Sequence, residues 1–182
     1  TQYVYNGDYG SNKVKFGAYY GGSSKRSIKN VDLKNNRKNT WGTGLIFNHE
    51  IDSIQNVTVA AGFTRQISEN ANKTAYYSNA YALGLAYNFV HTTYGLDLAH
   101  KDTKNKGGAG NKVKNNEVTA VIRQGLNEDW NVYAMYSYKT EKTLPVGSAY
   151  SKSTDRQFLV GTEYYVFKQG SVKVKPFIEW QA

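Results

Sequence analysis

Alternation with a period of two, sustained along almost the whole chain, limits what this sequence can fold into more than any other feature. Asn79, Tyr81, Leu83, Leu85, Tyr87 and Phe89 fall on one side of an extended backbone, and Ser78, Ala80, Ala82, Gly84, Ala86 and Asn88 on the other. Trp130, Val132, Ala134, Tyr136 and Tyr138 likewise oppose Asn131, Tyr133, Met135, Ser137 and Lys139. No stretch sustains the 3.6-residue period of an amphipathic helix. The longest apolar run, Ala80 to Tyr87, is eight residues, too short for a membrane-crossing helix. The expectation is an all-β protein.

Ten extended segments can be delimited: 1–5, 13–20, 41–48, 56–65, 76–89, 93–101, 116–124, 130–139, 156–167 and 171–181. Short connectors (6–12, 49–55, 90–92, 125–129, 168–170) take turns with longer ones (21–40, 66–75, 102–115, 140–155). A soluble β-sandwich has no reason to lengthen every second connection. A transmembrane β-barrel does, because its periplasmic turns are tight and its outer loops long. Aromatic placement points the same way. Tyr20, Trp41, Tyr77, Tyr138, Phe158 and Trp180 adjoin the long loops, while Phe47, Tyr87, Phe89, Tyr94, Trp130 and Tyr164 adjoin the short turns. Leu45, Val59, Leu83, Leu85, Leu96, Ala120, Val132 and Val160 lie between them. Two aromatic girdles around an aliphatic band describe a lipid-facing wall, since amphipathic rings favour the interface and aliphatics the acyl region.

The mean hydropathy of -0.64 and the formal charge of +9 would fit a soluble, nucleic-acid-binding chain, but the charge is unevenly placed. The long connectors hold 13 Lys+Arg against 5 Asp+Glu, and Lys25, Arg26, Lys29, Lys34, Arg37 and Lys38 cluster in the first of them. The short turns instead carry Asp8, Glu50, Asp52, Glu128 and Asp129, with Lys168 as their base. Bases on Asn- and Gly-rich loop tips do not track a nucleic-acid backbone, so no nucleic-acid partner is expected. They suit solubility, phosphorylated headgroups of an outer leaflet, or attraction of anions to a pore mouth.

Catalytic and cofactor chemistry finds little support. Zero Cys removes disulfides, thiolate metal sites and Cys nucleophiles. His49, His91 and His100 lack metal-ligand spacing, and His100-Lys101-Asp102 is a weak hydrolytic fragment. Gly107-Gly108-Ala109-Gly110 lacks the context of a phosphate loop, and Asn56-Val57-Thr58 and Asn72-Lys73-Thr74 match only a glycosylation pattern. The expectation is a protein that is not an enzyme, with no cofactor and no metal. By parity, Lys15, Asp97, Lys101, Glu117, Arg123 and Lys139 point away from the large-residue face, as do Glu163, Lys173, Lys175 and Glu179. Turning them into lipid would cost about 2–4 kcal/mol per base at mid-bilayer. A mixed-sign face with small neighbours such as Gly17, Gly44, Gly62 and Gly84 fits a hydrophilic conduit for small polar solutes and ions.

Gly17-Ala18-Tyr19-Tyr20, Asn127-Glu128-Asp129-Trp130-Asn131-Val132-Tyr133, Gly161-Thr162-Glu163-Tyr164-Tyr165 and Lys175-Pro176-Phe177-Ile178-Glu179-Trp180 resemble the Gram-negative general-diffusion porins, in particular the major outer-membrane porins of the Haemophilus and Pasteurella group. That resemblance implies a trimer of sixteen-stranded barrels in the outer membrane, in contact with the lipid bilayer and lipopolysaccharide and passing ions and small hydrophilic solutes. Such porins are roughly twice as long and end in an aromatic residue, whereas this sequence ends at Gln181-Ala182. Residues 1–182 are therefore expected to form one barrel domain that is incomplete at both ends. The constriction residues that set selectivity are expected to lie elsewhere. The other readings are a smaller self-contained barrel (an oligosaccharide channel or an autotransporter translocator) and a soluble or surface-attached β-rich glycan-binding adhesin.

Overall fold

The computed structural model describes residues 1–23, 27–28, 31–32, 35–70, 75–105, 112–145, 147, 149–169 and 172–182. Ten strands form one antiparallel sheet: β1 (Gln2–Tyr9), β2 (Asn12–Gly21), β5 (Asn35–Asp52), β6 (Gln55–Asn70), β7 (Ala75–Phe89), β8 (Thr92–Asn105), β9 (Lys112–Gly125), β10 (Trp130–Leu144), β11 (Ser151–Tyr164) and β14 (Phe177–Gln181). Two small hairpins stand apart from it, β3 (Ser27–Ile28) with β4 (Val31–Asp32) and β12 (Phe167–Gln169) with β13 (Val172–Val174). Each strand of the large sheet pairs with its neighbours in chain order, so the topology is a simple meander. The sheet is open, because β1 and β14 do not pair with each other.

The turns on one side are tight for identifiable reasons. Gly10 adopts a positive φ of 68° between β1 and β2. The Asp52 carboxylate accepts the Ile54 backbone N–H at 2.9 Å, an Asx turn joining β5 to β6. The Asn127 side chain accepts the N–H groups of Asp129 and Trp130, both at 2.9 Å, before β10 begins. Val90 closes the β7–β8 turn at φ 53°, a left-handed conformation that a β-branched residue adopts only under strain.

The strands run farther than the apolar pattern indicates. β5 spans 18 residues and β6 spans 16, well beyond what a bilayer requires. The extra length lies on the long-connector side, where polar segments such as Asn35–Thr40 and Lys112–Asn115 continue the ladder. Much of what was expected as loop is therefore strand, and only residues 71–74 separate β6 from β7. The expected short turn at 168–170 and the single strand at 171–181 are both corrected. Hairpin β12–β13 occupies that stretch and the sheet regains a strand only at Phe177. The regular succession of short and long connectors thus breaks at its last member. Lys25, Arg26, Lys29 and Lys34, the Gly107–Gly110 run and Asn72–Thr74 lie outside the described residues.

Among the described residues no hydrophobic side chain is buried; only Thr40, Ser137 and Thr140 are. The chain exposes 12649 Å² of surface, whereas a soluble monomer of this mass would expose about 8800 Å². Large apolar residues stand open along one face, Leu45 at 45%, Tyr81 at 49% and Ile122 at 43%. A soluble sandwich would hide that face against a second large sheet, and among the described residues no other sheet packs on it.

Candidate functional site: the polar face of the sheet

Residues directly opposite each other in an antiparallel ladder share a face, so the register sorts side chains without ambiguity. One row links Asn6, Lys15, Ile46, Ala60, Gly84, Asp97, Thr119, Ser137 and Gln157 across nine strands. Stepping by two residues from that row reaches Lys101 on β8, Glu117 and Arg123 on β9, Lys139 on β10 and Glu163 on β11. Glu179 joins them on β14, opposite Gly161. Eight of the ten residues expected on the polar face therefore share one face of the large sheet. Lys173 and Lys175 do not belong to a strand of that sheet. Lys173 sits in β13, and Lys175 lies in the link that leads to β14.

Two halves of this face differ. From β2 to β7 it is smooth, and a concavity of about 530 Å³ is lined by Lys15, Gly17, Ile46, Ala60, Gly62, Gly84 and Asp97 among others. Next to it, Thr64, Ala80, Lys101, Asn115, Glu117 and Lys139 line a second concavity of about 460 Å³. Toward β11 the charges engage each other. Glu163 holds both Arg123 and Lys175 at 2.5 Å, one on each carboxylate oxygen, and its own side chain is only 12% exposed. Lys175 also lies 5.3 Å from the centre of the Tyr165 ring. The hairpin link is thereby tied to the sheet, and one acid offsets one of the two positive charges it holds.

Glycines on this face were expected to leave open space, but at two positions a ring from the neighbouring strand lies on the glycine instead. Tyr133 faces Gly161, where a Cβ would come within 2.5 Å of the ring, and its hydroxyl donates to Glu179. Tyr19 faces Gly42 in the same way, with its hydroxyl 3.0 Å from that of Thr64. Sequence reasoning missed both rings, because pairing across strands is not written in the spacing along one strand. A polar ladder completes the face: Asn88 donates to Asn56 at 2.8 Å, Asn48 to Thr58 at 2.8 Å and Thr93 to Asn88 at 2.7 Å.

The opposite face carries the aromatic residues. Trp41, Phe63, Tyr81 and His100 form a chain of ring contacts at 5.0, 5.0 and 6.1 Å. Phe158 and Trp180 meet at 6.4 Å, and Tyr87 stacks on Tyr94 at 6.3 Å nearer the tight turns. Tyr20 lies opposite Trp41, Trp130 opposite Tyr164, and Phe47, Tyr77, Phe89 and Tyr138 occupy the same face. His100 belongs to this face too and contacts Asn116 at 2.7 Å. Among the described residues no group of three His, Asp or Glu side chains could hold a metal ion.

No family profile and no curated protein matches the chain. A solved structure does: OmpTdeltaL8, a loop L8 deletion mutant of OmpT, an outer membrane protein of Vibrio cholerae, at 16% identity and a TM-score of 0.61. The match covers 99% of this chain and 55% of the other, so the chain spans about half the length of the protein it resembles. At that identity the likeness shows the fold alone. It supports an outer-membrane barrel in general and does not reach the Haemophilus and Pasteurella porins in particular. It also corrects the expectation that the chain is not an enzyme: that expectation rested on missing motifs, and the barrel fold now in hand does not by itself separate a channel from a catalyst. The ten-stranded all-β sheet, the exposed apolar face of its described residues and this likeness together give the chain the fold of an outer-membrane β-barrel.

Proposed function

We propose that the protein is an outer-membrane porin, a water-filled channel for passive diffusion of ions and small hydrophilic solutes. The observation that carries this reading is the segregation of Lys15, Asp97, Lys101, Glu117, Arg123, Lys139, Glu163 and Glu179 to one face of a sheet whose other face is aromatic and aliphatic. Charges of both signs on a face with shallow concavities suit solvated solutes in transit better than a tight site for one ligand. The open sheet favours a larger barrel over ten strands closing on themselves, because a membrane tolerates no unpaired strand edge. Further strands of the same protein would complete the wall, and assembly into a trimer is part of the proposal.

The test is planar-bilayer recording on the product of the complete reading frame, after heat-modifiable migration on a gel has established that it is folded. Stepwise conductance increments that scale with salt concentration are expected. Folded protein that inserts and yields no steps above leak would overturn the channel reading.

A further inference from the structure

Beyond the loop-side aromatics the lipid-facing surface changes character. Lys114 on β9 lies directly opposite Lys142 on β10, and Lys142 lies directly opposite Lys152 on β11. Directly opposed side chains have Cβ atoms about 4.5–5.5 Å apart, and like charges there are mutually destabilising. Three in one row on adjacent strands make two such opposed pairs, with Lys142 sharing in both. Asp102 borders the row at one end, opposite Lys114, while the neighbouring acids Glu141 and Asp155 belong to the polar face. None of the three lysines takes part in an ion pair among the described residues. Arg156 stands four residues along β11 from Lys152 on the same face, 5.8 Å from the centre of the Tyr138 ring.

Depth identifies what would neutralise the row. From Trp130 to Tyr138 strand β10 advances eight residues, about 27 Å of strand or about 21 Å along the membrane normal at a tilt of ~40°. Lys142 lies four residues farther, about 10 Å above the girdle, where headgroup phosphates begin. The cationic row therefore faces the headgroup layer, above an apolar wall that accommodates acyl chains. We propose that Lys114, Lys142 and Lys152, with Arg156 beneath them, form a binding site for the phosphate of an outer-leaflet lipid headgroup. A phosphate dianion between the lysines turns a repulsive row into charge-assisted hydrogen bonds. The site rests on the lipid-facing assignment of this surface and not on the channel.

The product of the complete reading frame, purified in detergent, would be offered a bisphosphorylated glycolipid, its dephosphorylated counterpart or inorganic phosphate, and retention read by native mass spectrometry. The triple variant K114Q/K142Q/K152Q is compared with K15Q/K101Q/K139Q, which removes equal charge from the polar face. The wild type and the polar-face variant should retain the phosphorylated glycolipid, with retention roughly tenfold or more weaker in the lysine-row variant. The dephosphorylated glycolipid should be lost from all three, and inorganic phosphate should not displace the bound lipid. Equal losses in both triple variants, or full retention by the lysine-row variant, would overturn the site; so would displacement by inorganic phosphate, which would mark a free-anion site. If the triple variant does not fold, K142Q alone, at the centre of the row, should show a partial loss, and unchanged retention there also overturns the site. Conductance recorded on the same preparations separates this outcome from that of the channel.

Discussion

The two faces of the sheet are made by the same strands and differ by a single residue of phase, yet they obey opposite rules. On the aromatic face, Leu83 and Leu85 stand open, uncovered by any of the described residues, and their stability depends on lipid. On the polar face, Ala82 and Gly84 leave a shallow wall, and order comes from paired groups such as Glu163 with Arg123 and Lys175, or Asn88 with Asn56. A register slip of one residue would exchange the two environments along a whole strand. The lesson is that here the solvent on each side, more than any packed interior, decides which residues are allowed.

The sharpest way to break that contrast is to place one charge on either face. Leu83→Arg should cost about 2–4 kcal/mol and abolish most folding into lipid vesicles. Ala82→Arg, one residue away, should fold in near-normal yield, and comparable losses in the urea-unfolding midpoint would refute the assignment of faces. On the polar face, Gly161→Val would drive a side chain into the Tyr133 ring, and a loss of about 1–3 kcal/mol is expected from overpacking. Pairing that change with Tyr133→Ala should restore part of the loss, as a double-mutant cycle in urea can show. Glu163→Gln leaves Arg123 and Lys175 without their shared acid, so the reversal potential under a salt gradient should move toward anion preference, with little change in unfolding. The smallest effect has the opposite sign. Val90→Gly relieves a left-handed valine in the tight turn and should raise stability by about 1 kcal/mol, and a lowered midpoint would show that the valine is not strained.

Legibility from sequence followed the lipid. Wherever strands cross an apolar medium, as from Tyr77 to Phe89 or Trp130 to Tyr138, alternation marked them almost to the residue. Past the girdle both faces are wet, so polar stretches such as Asn35–Thr40 or Ser151–Asp155 carry no contrast between faces, and the ladder there continues unannounced. Val172 and Val174 alternate like a membrane strand but fold into a small hairpin, and Pro176, directly before β14, interrupts the run. Eight of the polar-face residues were legible by parity alone, whereas Lys173 and Lys175 were not, because the stretch that holds them leaves the large sheet. The rings over Gly42 and Gly161, the bidentate role of Glu163 and the row of opposed lysines were not, because each arises from which residue of one strand meets which residue of the next.

The lack of a buried hydrophobic core among the described residues has a consequence for the order of events in the life of the chain. A soluble domain can collapse around its own interior as soon as it is released, and then travel folded. This sheet has nothing to collapse around, so its final folding step and its arrival in the membrane are one event. Until then, Tyr81, Leu83, Ile122 and their neighbours are adhesive segments in water, and escort proteins that hold the chain unfolded would govern its yield more than its own equilibrium stability does.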